Sequence, residues 1–317
     1  MLTECELSLK IAKMKRVISS KSVVIYALIA NFIIAIVKSI VAFLTHSSAM
    51  IAESIHSLAD TLNQIFLLIG MRRGRKEPDT LHPFGFSSEL YFWSFIVAIM
   101  LFTAGAIFSI YEGIHKLMHP AEIKNINYAF AVLIISLIVE SCAFYRAFRK
   151  VNREKGENKI IGYLRKTKKS ELIVVFLEDL AAIIGLSIAL ILLFLEYLTD
   201  ILIFDAIASI IIGILLGVVA FFLGNETKSL LIGESADRKK IEHISQIFRN
   251  EESINRLIQI KSLQLGPEDI LIAVKAEFNN RLNSVEISNL INGIEKEIRR
   301  KYPEVKKIFV EPDIYRY

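Results

Sequence analysis

Apolar residues dominate the first two-thirds of the chain in six long stretches, and polar residues take over in the last third. The stretches cover residues 23–44, 49–71, 90–114, 128–148, 172–195 and 203–223. A helix needs roughly 20 residues to cross a hydrocarbon core, so the pattern predicts six membrane spans. The second stretch is the least apolar because it carries Glu53, His56, Asp60, Asn63 and Gln64. Steps of three, four and seven residues return to one helical face, so Glu53, His56 and Asp60 share a stripe. A titratable stripe inside a membrane-length helix is costly unless it faces a partner or water, which makes it a functional candidate. The sixth stretch is rich in small residues (Ala206, Ala208, Ser209, Gly213, Gly217), which suits close helix packing.

Beyond residue 223 the periodicity changes. Residues 241–248 and 285–300 read as amphipathic helices, and 258–265, 270–278 and 306–310 as strands. Gly266-Pro267-Glu268-Asp269 has the composition of a hairpin turn. The predicted fold class is an all-α six-helix transmembrane domain followed by a small α+β cytoplasmic domain, α-β-β-α-β and ferredoxin-like. The expected boundaries are a cytoplasmic amphipathic segment over 1–22, a transmembrane domain over 23–225 and a dimerisation domain over 234–317. A soluble domain this small buries a marginal core and gains stability by dimerising.

Charge then sets orientation. The chain holds 38 Lys and Arg against 33 Asp and Glu, and their placement matters more than the balance. Basic residues gather before the first span, after the second (Arg72, Arg73, Arg75, Lys76) and after the fourth (Arg146 through Lys169). The opposite connections are nearly bare, so both termini are expected in the cytoplasm of a multi-pass membrane protein. These basic runs read as topology signals and lipid headgroup contacts rather than as a nucleic-acid surface. Residues 7–18 are expected to lie along the inner membrane face, with no cleavable signal peptide. Cys5 and Cys142 have no spacing that suggests a zinc knuckle or a disulfide framework. No nucleophile, cofactor loop or phosphate-binding turn suggests an enzyme.

Candidate chemistry centres on His56-x-x-x-Asp60, which puts an imidazole and a carboxylate one helical turn apart. One neutral imidazole with carboxylates suits zinc, and also cobalt, iron or manganese. The competing reading is a hydrogen-bonded His–Asp pair buried between helices. A second acidic pair, Glu178-Asp179, lies in the fifth stretch. Adjacent helical residues point about 100° apart, so Asp179 is the first candidate ligand and Glu178 the one that completes the set. Glu53 and Asn63 are candidate supports. Glu140 could line an ion path or bond a neighbouring helix, and Asp205 is expected to cap the last membrane helix. Metal binding needs neutral His and ionised carboxylates, so it expels protons. A site that holds either metal or protons, and opens to each side in turn, would be a metal/proton antiporter, with His56 the best proton carrier.

With these motifs the chain resembles the cation diffusion facilitator family of divalent-metal transporters, and within it the zinc-transporter-9-like branch. The resemblance rests on Asn31 and Lys38, Ser47-Ser48-Ala49-Met50, Glu53-Ser54-Ile55-His56-Ser57-Leu58-Ala59-Asp60, Pro78-Asp79, His82-Pro83-Phe84-Gly85, Tyr91-Phe92-Trp93-Ser94-Phe95, Tyr111-Glu112-Gly113 and Leu177-Glu178-Asp179. It implies a homodimer that exports a divalent transition metal in exchange for protons, zinc first, with manganese, iron and cobalt behind it. The metal is cargo and no cofactor is expected. A membrane metal sensor or scaffold without transport is the rival from another class. The family's fifth-helix histidine is Val175 here, so the site is more oxygen-rich and admits manganese or iron more readily. A possible loop site keeps Asp79 and His82 but has Phe86 at the second histidine position; otherwise the pair simply orders the turn. In the soluble domain His243 is the only histidine, so dimerisation is expected there rather than metal sensing.

Overall fold

A computed structural model describes residues 28, 29, 31–123, 125–156 and 159–315. The amphipathic segment expected over residues 7–18 lies outside the described residues. Among the described residues seven helices precede the C-terminal α+β domain: α1 Asn31–Thr45, α2 Ser48–Arg73, α3 Glu89–Met118, α4 Ile126–Glu154, α5 Ile160–Lys166, α6 Ser170–Thr199 and α7 Ile203–Ile232. Four of them, α3, α4, α6 and α7, are long and apolar enough to cross a membrane, and α1 is a shorter apolar helix. α2 has the length, at 26 residues, but its polar stripe lowers its hydropathy. Large apolar side chains such as Phe43, Ile135, Val218 and Phe221 stand exposed, as a lipid-facing surface requires. α3 is not uniform: Leu101–Ile107 forms a π-helical segment.

By internal contacts the chain divides into two compact units. One draws on Met1–Phe66, Val97–Phe148 and Val175–Phe221; the other on Leu67–Ile96, Arg149–Val174 and Phe222–Tyr317. In the first, α3 and α7 pack at very close range. A Cβ on Gly113 would stand 2.6 Å from Ile210 Cγ1 and 2.8 Å from the Ala206 carbonyl. A Cβ on Gly213 would reciprocally stand 2.7 Å from Ile110 Cγ1 and 2.9 Å from the Ala106 carbonyl. Neither position has room for a side chain, so glycine is what lets the two backbones approach. Of the small residues expected to serve packing, Ala206, Ser209, Gly213 and Gly217 meet α3.

In the second unit the soluble domain follows the α-β-β-α-β order. α8 (Arg238–Arg249) is capped by Asp237, whose carboxylate accepts from the backbone N–H groups of Lys239 and Lys240. β1 (Ile254–Gly266) and β2 (Asp269–Phe278) pair antiparallel, from Ile254 with Phe278 to Gly266 with Asp269. The hairpin turn is thus Pro267-Glu268. α9 (Ser284–Lys301) starts with a full capping box between Asn283 and Glu286. It provides the crossover that lets β3 (Val305–Pro312) lie parallel to β2, in the sheet order β1-β2-β3. Alternate residues of β2, from Ile270 to Phe278, are buried together with Ile244, Phe248, Ile294, Ile298 and Val305. The hairpin tip packs on the segment before α3. Ser87 donates to Asp269 at 2.7 Å, Ser88 donates to the Leu265 carbonyl at 2.9 Å, and a Cβ on Gly266 would strike Ser87 at 2.6 Å.

Candidate metal site

The site is built on α2, and the start of α2 is held from another helix. The first turn of any helix leaves backbone N–H groups unpaired. Here the Asp205 carboxylate, from the first turn of α7, accepts from Ser48 N at 2.6 Å, Ala49 N at 3.1 Å and Ser47 Oγ at 2.5 Å. Ser47 Oγ in turn accepts from Met50 N at 3.2 Å. Asp205 lies in the first turn of α7, as the sequence predicts, but its carboxylate caps α2. Proximity in sequence put it at the head of α7, but packing turned its side chain toward a neighbour with open donors. Lys116 of α3 completes the anchor. Its Nζ lies 3.2 Å from Asp205 Oδ2 and donates to the His46 carbonyl at 2.7 Å.

One turn further along, the polar stripe begins. Glu53 is fully buried and accepts from Lys38 of α1 at 3.1 Å. Lys38, also fully buried, donates to Ser57 Oγ at 2.8 Å. His56 follows at 1% exposure, with Nε2 3.5 Å from Asp60 Oδ2. That distance is at the limit of a hydrogen bond, and neither ring nitrogen of His56 has a hydrogen-bond partner. Asp60 Oδ1, Glu53 Oε1, Asn63 Oδ1 and Gln64 Oε1 are also buried without a partner. Leaving a buried polar atom unpaired costs about 1–3 kcal/mol. Among the described residues these atoms concentrate on one face of one helix, and they are the atom types that ligate divalent metals.

Across from them, α6 carries Glu178 and Asp179. Glu178 is buried and accepts from Asn63 Nδ2, while Asp179 is half-buried. Gly185, two turns further along α6, backs onto Glu53: a Cβ there would lie 2.9 Å from Glu53 Oε1. The contacts Glu53–Gly185 and Asn63–Glu178 run in opposite directions along the two helices, so α2 and α6 are antiparallel and the contacts bracket His56 and Asp60. The charges of Asp60 and Asp179 act on Glu178, and that of Asp60 on Asp179. Glu140, half-buried on α4, lies in the same field, acting with Asp60, His56, Glu53 and Lys38. Sequence reasoning left Glu140 between two roles and matched Lys38 only as a family position. The available signal was Lys38 as the one charge in residues 23–44 and Glu140 as the one acidic residue in residues 128–148. Among the described residues no three His, Cys, Asp or Glu side chains converge closely enough to hold an ion. The residues named as ligands thus share one neighbourhood rather than one coordination sphere.

The other candidates lie elsewhere. Asp79 and His82 do meet, with His82 Nδ1 3.2 Å from Asp79 Oδ1. Both are exposed, and the same oxygen accepts from the backbone N–H groups of Leu81 and His82. The His82 N–H bond foremost holds the Asp79 carboxyl below the usual carboxylate range. In the soluble domain His243 Nδ1 lies 3.0 Å from Tyr302 Oη, beside a cavity of about 430 Å³. Gln264 is used on the Gly266 carbonyl, and Glu311 and Asp313 on Lys275.

A family model described as the cation efflux transmembrane domain matches residues 24–232. The chain belongs to the cation efflux family. That family consists of divalent-cation transporters and not enzymes, and this member is an integral membrane protein. It is 31% identical over 263 residues to the mitochondrial proton-coupled zinc antiporter SLC30A9 of Xenopus laevis, covering 82% of this chain and 47% of that protein. It is 31% identical over 265 residues to metal tolerance protein C4 of Arabidopsis thaliana, covering 83% and 58%. The chain thus spans about half the length of these relatives. The manganese efflux system protein MneP of Bacillus subtilis is 26% identical over 298 residues, covering 93% of this chain and 96% of that protein.

Proposed function

We propose that this cation efflux protein exchanges a divalent transition metal, zinc in the first place, for protons across a membrane. The observation that carries the proposal is the run of unpartnered, buried N and O atoms along α2, opposite two carboxylates of α6. In this reading His56, Asp60 and Asp179 bind the metal and Glu178 joins them when it leaves Asn63. Glu53 and Asn63 hold the ligands in place. Ionised carboxylates and neutral imidazole bind the metal, and the same groups take up protons when it leaves. SLC30A9, a proton-coupled zinc antiporter, and MneP, a manganese efflux protein, support zinc or manganese as cargo and, for the former, proton coupling.

The remaining parts of the proposal rest on sequence. The basic loops support cytoplasmic termini and export from the cytoplasm. The small soluble core supports a homodimer joined through residues 234–317. The transporting domain is placed at 23–225, with residues 1–22 on the membrane surface. Asp79 and His82 form, at most, an auxiliary loop site. Manganese is favoured as the alternative cargo by Val175, which leaves a site rich in oxygen.

Purified protein in proteoliposomes tests the proposal. Zinc or manganese influx should move protons the other way under an imposed pH gradient. Metal binding with no flux under any gradient would leave a sensor or scaffold instead.

A further inference from the structure

Lys38 and Glu53 form a buried ion pair one helical turn from His56, and the proposed exchange gives Glu53 only a supporting part and Lys38 none. Glu53 lies on the metal-binding stripe, three residues before His56 and seven before Asp60. By position alone it is a candidate ligand. Its Oε2 is engaged by the Lys38 ammonium at 3.1 Å, and that ammonium is fixed a second time by Ser57 Oγ at 2.8 Å. Its Oε1 has no hydrogen-bond partner and is pressed against the backbone of α6 at Gly185. Both Lys38 and Glu53 are fully buried, and both act electrostatically on His56 and on Asp60.

We propose that Lys38 is a tethered cation that keeps Glu53 out of the metal's ligand set and thereby sets which divalent ion the site prefers. An ammonium held by a carboxylate and a hydroxyl occupies a place that a metal ion could otherwise take. With Lys38 in position the cargo meets one imidazole and the carboxylates of Asp60 and α6. With its charge gone, Glu53 is a buried, uncompensated carboxylate one turn from His56, and a cation is its natural partner. One more oxygen ligand makes the site harder, which favours manganese over zinc. The inference deepens the proposed transport reading and rests on it for the identity of the cargo.

The test compares zinc and manganese in wild type, Lys38→Met, Glu53→Gln and the double variant, in proteoliposome flux and in equilibrium binding to the purified protein. Lys38→Met should shift the zinc-to-manganese affinity ratio toward manganese by about tenfold, the scale of one modest ligand contact. Glu53→Gln leaves Lys38 without its counter-ion, so it should weaken both metals about equally, and the ratio should stay near that of wild type. The double variant should return both ratio and affinity toward wild type. If Lys38→Met lowers both metals alike, the pair is only a packing device and the proposal is wrong. If Lys38→Met does not fold, the double variant decides: a folded double variant whose affinity stays as low as that of Glu53→Gln also overturns it. Wild type without flux would refute the transport reading alone, because the binding ratios still read the role of Lys38.

Discussion

Asn63 on α2 donates a hydrogen bond to Glu178 on α6, which turns a candidate metal ligand into a link between helices. Glu178 is buried, and its charge acts with those of Asp60 and Asp179. The pair therefore sits where a metal-bound and a metal-free arrangement would differ. Glu178→Gln keeps an oxygen for Asn63 but removes the charge. The expected result is zinc affinity lowered by about 10–100-fold, the range for partners close to a metal, with the fold retained. Asn63→Leu should leave Glu178 unpaired and alter affinity as well. A metal-competition flux assay reads both, and unchanged affinity and selectivity in Glu178→Gln would remove it from the ligand set.

Asp60→Ala removes the carboxylate that lies 3.5 Å from His56. Losing even an outer partner of a metal ligand costs about 10–100-fold, so metal-driven proton movement should fall by more than about 100-fold. Folding should survive, because Asp60 Oδ1 has no hydrogen-bond partner to lose. Proteoliposome flux alongside a melting curve separates the two effects. Wild-type flux in this variant would show that α2 is not the metal path.

Asp205 should matter for stability rather than selectivity. It is fully buried, caps α2 through two backbone N–H groups and pairs with Lys116. Asp205→Ala strands a buried ammonium and uncaps the helix, a class of change that costs about 3–5 kcal/mol. Asp205→Asn with Lys116→Met should recover part of that loss by removing the stranded charge. Thermal unfolding in detergent measures both, and a Tm in Asp205→Ala equal to wild type would contradict the anchor.

The α3–α7 contact makes a second stability prediction. Gly113→Val places side-chain atoms where Ile210 and the Ala206 carbonyl already stand, and overpacking of this kind costs about 1–3 kcal/mol. Gly162→Ala on α5 is the control: a Cβ there meets nothing within 4 Å, and alanine favours the helix by up to about 1 kcal/mol. Equal melting temperatures for the two variants would contradict the close approach.

The loop turn at Asp79 should be acid-labile. Its carboxyl is held below its ordinary range, foremost by the backbone N–H of His82. A group whose folded pKa is depressed stabilises the fold above its unfolded pKa, about 4, and that contribution is lost as pH falls through the folded value. Amide exchange at Leu81 and His82 should therefore accelerate at low pH beyond its intrinsic trend, and Asp79→Ala should abolish the difference.

Much of this protein was legible along the chain because its signals are periodic within single elements. The polar stripe of α2 follows from helical spacing alone. So do the apolar runs, and the alternation of β2 on either side of Pro267-Glu268 gives the hairpin. The turn and strand positions emerged within a few residues, since local chemistry sets them. The family motifs lie on the same elements and named the family before any geometry was known.

What the chain could not reveal was which polar group meets which across helices. Asp205 stands in the first turn of its own helix, yet its carboxylate caps α2 from 157 residues away. Glu178 is a candidate ligand by spacing, and nothing local showed that Asn63 donates to it. Lys38 gave no hint that it binds Glu53, and nothing local marked Gly185 as the place where α6 backs onto that carboxylate. Helical periodicity determines the face a side chain occupies on its own element. The neighbour that face meets depends on packing between elements distant in sequence, and only the tertiary structure decides it.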